Sequence, residues 1–108
     1  MSWAWATLLV AGIFEIGWAL GLELSDGFSR FWPSVGTVVA LVVSMVLLAR
    51  ATRTLPVGTA YAVWTGIGAV GTAAGGIVLF DEPNNAARVF CILLVVAGIV
   101  GLKLTSSV

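Results

Sequence analysis

Four long runs of apolar residues, separated by short polar clusters, make up almost the whole chain. The first run, at positions 3–22, is interrupted only by Glu15 and closes at Glu23, Ser25, Asp26 and Gly27. The second, at 33–50, opens on Pro33, a residue suited to a first helical turn, and ends at Arg50 and Arg53. The third, at 57–80, follows Leu55-Pro56 and stops at the cluster Asp81-Glu82-Pro83-Asn84-Asn85. The fourth has a shorter apolar centre, but Arg88 and Lys103 at its ends can snorkel to the interfaces, which extends the span to 87–104. A helix of about 20 residues crosses the roughly 30 Å hydrocarbon core of a bilayer. The pattern therefore predicts an all-α membrane protein, a single domain over 1–108 with four transmembrane helices.

Composition sharpens this reading. Of the 108 residues, 60% are apolar and 9% charged, against the roughly one quarter charged that is usual in soluble domains. Five basic residues balance five acidic ones and there is no histidine, so the chain offers no basic face for nucleic acid. Cys91 is the single cysteine; it excludes an internal disulfide or a cysteine metal site and is expected to pack as a small buried hydrophobe. The first run lacks a basic leader and an Ala-x-Ala-like cleavage site, so it is expected to remain as a helix rather than be removed. No nucleophile–base pair, phosphate loop or metal cluster is visible, so neither an enzyme activity nor a cofactor is expected.

The basic residues also bear on orientation. With both termini on one side, that side carries Arg50, Arg53 and Lys103 and the other Arg30 and Arg88. An excess of Lys/Arg fixes orientation in membranes, and three against two gives almost no instruction. Insertion both ways is expected, and two copies inserted oppositely can form an antiparallel dimer with the inverted symmetry that transporters often hold within one chain. Helix 4, with no interior polar group, is the natural contact; the alternative is that an imbalance of one suffices to fix one orientation.

Glu15 is the candidate for chemistry. It lies about 18 Å along its helix from Trp3, near the bilayer midplane, and no basic residue sits at matching depth. An ionised carboxylate there costs about 2.5–3.5 kcal/mol on insertion scales. Either a proton or a bound cation removes that cost, so the two are expected to compete. The bland alternative is a permanently protonated glutamate hydrogen-bonded between helices. Helical spacing places Trp18 one turn from Glu15 on the same face. Tyr61, Trp64, Thr65, Gly68, Gly71, Thr72 and Gly75 form a stripe on helix 3, and Thr37, Ala40 and Ser44 align on helix 2. Together these supply a carboxylate, aromatic walls for cation–π attraction and hydroxyls to hold the carboxylate, which is what a cation pocket needs. The competing reading of the aromatics is an interfacial belt, which suits Trp3, Trp5 and Trp32 best and remains open for Tyr61. Gly71 and Gly75 form a GxxxG spacing that permits close helix approach, and Gly66-Ile67-Gly68 is a candidate bend.

Three segments carry a resemblance to a known family: Phe14-Glu15-Ile16-Gly17-Trp18-Ala19; Gly27-Phe28-Ser29-Arg30 with Trp32-Pro33-Ser34; and the run from Leu55-Pro56-Val57-Gly58 through Tyr61-Ala62-Val63-Trp64 to Gly68. With these the chain resembles the small multidrug resistance transporters, and among them the guanidinium-exporting subtype, over essentially its whole length. The resemblance implies an antiparallel, dual-topology dimer in the inner membrane. It further implies exchange of protons for guanidinium-type cations at one site shared by two copies of an essential glutamate. Position by position, Glu15 matches that glutamate, Tyr61 the tyrosine that helps switch access, and Trp64 the aromatic wall. Trp18 and Ser44 match residues that orient the glutamates in the guanidinium subtype. Export of quaternary ammonium compounds is the alternative within the family; a small anion channel or a structural subunit are alternatives outside it. The chain departs from the subtype at Glu23, where a lysine is usual, and at Cys91, where related members often carry glycine.

Overall fold

The four expected helices are present in a computed structural model of the chain, which describes residues 3–106. They are α1 (Trp3–Leu24), α2 (Phe31–Ala51), α3 (Val57–Phe80) and α4 (Ala86–Thr105). Each is long and apolar enough to span a bilayer. The helices overrun the apolar runs by one or two residues at several ends. Charged residues mark the edge of the hydrocarbon layer, whereas the backbone hydrogen-bond ladder continues until a cap ends it.

What ends α1 is a tight turn organised by Ser25, which is fully buried. Its hydroxyl donates to the Leu22 carbonyl at 2.8 Å and accepts from the Phe28 amide at 3.1 Å, while Asp26, Gly27 and Phe28 all take positive φ. In α2, the hydroxyls of Ser34 and Thr37 donate to the carbonyls four residues earlier, at 2.5 and 2.8 Å. Such back-bonding satisfies a polar group inside an apolar helix without a partner helix. Asp81 closes α3 in the left-handed conformation, and the Asn85 side chain caps α4 by accepting from the Arg88 amide at 2.9 Å.

The bundle packs around α1, which lies against α2 and α3, while α4 packs against α3. Along the α1–α3 seam, large side chains of one helix meet glycines of the other. A Cβ at Gly71 would overlap Ile16, one at Gly75 would come within 2.8 Å of Leu20, and one at Gly12 within 2.6 Å of Ile67. Close approach at these glycines accounts for the GxxxG spacing, because dispersion contacts, with lipid as solvent, are what bring helices together. Gly66 and Gly68 leave α3 unbroken. Gly66 instead admits Ile99 of α4, 2.9 Å from where its Cβ would lie.

The buried core gathers toward the end where α1 begins and α4 ends, from Ala4, Trp5, Leu8 and Ala11 to Leu55, Val63 and Trp64. Trp5 thus departs from the expected interfacial belt: it is 5% exposed, with Lys103 Nζ 4.9 Å from its ring centroid. Trp3 and Trp32 are exposed near helix starts, as a belt requires. Helix α4 has no buried residue. Cys91 is accordingly exposed on it, not buried as expected, because α4 meets the single chain along one side only.

Candidate functional site

Glu15 is held between α1 and α3. Nine per cent exposed, it is the buried carboxylate of the described residues, midway along α1. The indole Nε1–H of Trp18, one turn on, donates to Glu15 Oε1. On the facing helix Gly68 leaves space for the carboxylate stem, since a Cβ there would overlap Glu15 Cγ. The side chain is thereby fixed at two points, by a hydrogen bond on its own helix and by a fitted hollow in α3. The second oxygen, Oε2, remains able to accept.

Ser44, Trp64 and Tyr61 form a second group next to the first. Ser44 is fully buried; its hydroxyl donates to the Ala11 carbonyl at 2.7 Å and accepts from Trp64 Nε1 at 2.8 Å. One hydroxyl thus ties α2 to α1 and α3 together, satisfying two groups that would otherwise be unpaired in an apolar interior. Within the single chain Ser44 therefore bonds to the α1 backbone one turn before Glu15 and to the Trp64 ring, and it bears on Glu15 through that turn of α1. Tyr61 packs against Trp64 with ring centroids 5.5 Å apart at 50°, and is 56% exposed in the single chain. Of the five residues singled out, the structure joins Glu15 to Trp18 and Ser44 to Trp64 and Tyr61. The two groups meet through the Ala11–Glu15 turn of α1.

Three charged residues that the sequence places singly, Glu23, Glu82 and Arg88, come together at the far end of the seam. A cavity of about 460 Å³ opens beside α1 and α3, lined by Leu20, Glu23, Thr72, Gly76, Glu82 and Arg88 among others. Arg88 pairs with Glu82 at 3.0 Å, and the Thr72 hydroxyl is buried there without a partner. The unusual Glu23 thus lies at a membrane-end mouth between the helices that hold Glu15.

Four helices able to span a bilayer and one carboxylate buried at mid-depth describe a small multi-pass membrane protein. The chain belongs to the small multidrug resistance family, whose description, Small Multidrug Resistance protein, matches residues 2–95. It is 57% identical over 103 residues to the guanidinium exporter of Escherichia coli (strain K12), covering 95% of this chain and 98% of that one. It is 55% identical to the guanidinium exporter of Salmonella typhimurium with the same coverage, and 57% identical to that of Yersinia pestis, covering 95% and 99%.

Proposed function

We propose that this chain is a proton-coupled antiporter that exports guanidinium and small guanidinyl cations, working as an antiparallel homodimer with two Glu15 carboxylates in one site. The observation that carries the reading is the Trp18–Glu15 hydrogen bond. It holds the carboxylate in a set orientation, which suits a planar ligand whose parallel N–H groups need two coplanar acceptors. The relatives named guanidinium exporters support the same substrate class.

Transport follows from competition for charge. Two ionised carboxylates accept a guanidinium ion by N–H···O bonds, with Trp64 and Tyr61 offering aromatic faces to the cation. Protons arriving at the carboxylates remove the charge that holds the ion, and it leaves on the side then open. Coupling requires that the empty site, with both carboxylates ionised, not change sides, so that each crossing carries either protons or a guanidinium ion; the cost of an uncompensated charge at mid-depth disfavours that empty crossing. The three-against-two distribution of basic residues supports insertion in both orientations.

The test is proton-driven guanidinium flux into liposomes containing this chain alone. Flux of guanidinium exceeding that of a tetraalkylammonium ion supports the reading. The reverse preference would assign the chain to quaternary ammonium export, and no flux without a second protein would rule out a self-sufficient homodimer.

A further inference from the structure

A second cavity lies away from Glu15, at the end of the bundle where α1 begins and α4 ends. It is a crevice of about 250 Å³ running between α1, α3 and α4, walled by Leu9, Val63, Ile67, Ile99, Val100 and Leu104. Trp5 and Lys103 line its end, with the ammonium 4.9 Å from the indole centroid. Leu9, Val100 and Leu104 are exposed, so the crevice opens sideways, toward the hydrocarbon layer, as well as toward the interface.

We propose that this crevice binds an anionic phospholipid, with an acyl chain along the groove and the phosphate at Lys103. Three observations converge on that occupant. The walls are aliphatic, which suits a hydrocarbon chain and gives a water-soluble ligand nothing to bond. Lys103 sits in the last turn of α4, at the depth of lipid headgroups, and contact with one face of an indole leaves its N–H donors available to phosphate. The charged side chains at this end are all basic, Arg50, Arg53 and Lys103, while Glu23, Asp26, Asp81 and Glu82 lie at the opposite end with Arg30 and Arg88. A basic side chain at headgroup depth attracts an anionic headgroup, and the apolar groove beside it takes the acyl chain. At the opposite end Arg88 is already paired with Glu82. Lys103 is thus the basic residue placed over an apolar groove, and the inference stands whether or not Glu15 carries a substrate.

The experiment is native mass spectrometry of the full chain released from nanodiscs of phosphatidylglycerol and phosphatidylcholine in equal amounts. The wild type is expected to retain phosphatidylglycerol preferentially. Lys103→Gln should lower that retention about fivefold, the weight of one basic side chain at an anionic surface, and Lys103→Arg should restore it. Val100→Trp, which fills the groove from an exposed position and leaves Lys103 in place, should also lower it; Arg50→Gln, at the same end but outside the groove, should change it less than Lys103→Gln. Equal retention of the two lipids, or retention insensitive to Lys103→Gln and Val100→Trp, overturns the proposal. So does displacement of the lipid by inorganic phosphate alone, which would make this an ion site. Loss of the dimer in Lys103→Gln with lipid retention intact would make the crevice a protein contact and equally overturn it.

Discussion

Gly68 of α3 lies so close to Glu15 of α1 that a single methyl group at position 68 would overlap Glu15 Cγ. The glycine is therefore part of the site, because it sets where the carboxylate stands. Gly68→Ala is expected to destabilise the fold by about 1–3 kcal/mol, the usual cost of overpacking, and to depress guanidinium flux by displacing Glu15. Gly36→Ala, at a position with open space, should do neither. Thermal unfolding in micelles together with liposome flux separates the two variants; equal behaviour would show that α3 simply shifts aside.

Trp18 is expected to govern selectivity. Removing its N–H in Trp18→Gly or Trp18→Phe frees the carboxylate to rotate, which harms a planar donor fork and leaves a quaternary ammonium, with no N–H to donate, unaffected. A lost buried hydrogen bond costs about 1–3 kcal/mol, so guanidinium should weaken by roughly 5- to 150-fold. Transport of bulkier ammonium ions should persist or rise. The ratio of proton-coupled currents for the two substrates is the readout, and an unchanged ratio would reduce Trp18 to packing.

Ser44→Ala should loosen the junction of α1, α2 and α3, because it strands the Trp64 N–H and removes a donor from the Ala11 carbonyl. Interhelical hydrogen bonds in membranes contribute about 0.6 kcal/mol on average and up to about 1.7, and this hydroxyl makes two. The midpoint of thermal inactivation should fall more than in Thr65→Ala, whose hydroxyl bonds to the Tyr61 carbonyl of its own helix. A larger effect at Thr65 would contradict the junction.

The four spans and the depth of Glu15 were legible in the sequence because the bilayer restricts spanning structure to helices and makes a buried charge conspicuous. The Trp18–Glu15 contact was legible too, since a spacing of three fixes side-chain neighbours on one helix. Interhelix partners were less so. Ser44 stands on the face that meets α1, yet whether its hydroxyl reaches Glu15, the Ala11 carbonyl or Trp64 depends on how far α2 slides along α1, which no local pattern records. Trp5 and Cys91 were misplaced for a related reason. A tryptophan near a helix end serves equally as belt or core, and an apolar helix such as α4 reads the same whether its faces meet protein or lipid.

Orientation is tested by labelling. With Cys91→Ser removing the exposed native thiol, a cysteine introduced at Arg53 should react with a membrane-impermeant reagent from both sides of the membrane, as insertion both ways requires. Labelling from one side only would remove the antiparallel dimer from the account.

Coupling at Glu15 is tested most directly by proton-driven guanidinium flux in liposomes holding either the wild type or Glu15→Gln. The amide keeps the shape of the side chain and can still accept from Trp18, but it neither binds a proton nor carries charge. The account predicts coupled flux in the wild type and none in Glu15→Gln, with the variant still folded and dimeric by size-exclusion chromatography. Proton-driven flux that survives in Glu15→Gln would contradict it, placing the coupling group elsewhere.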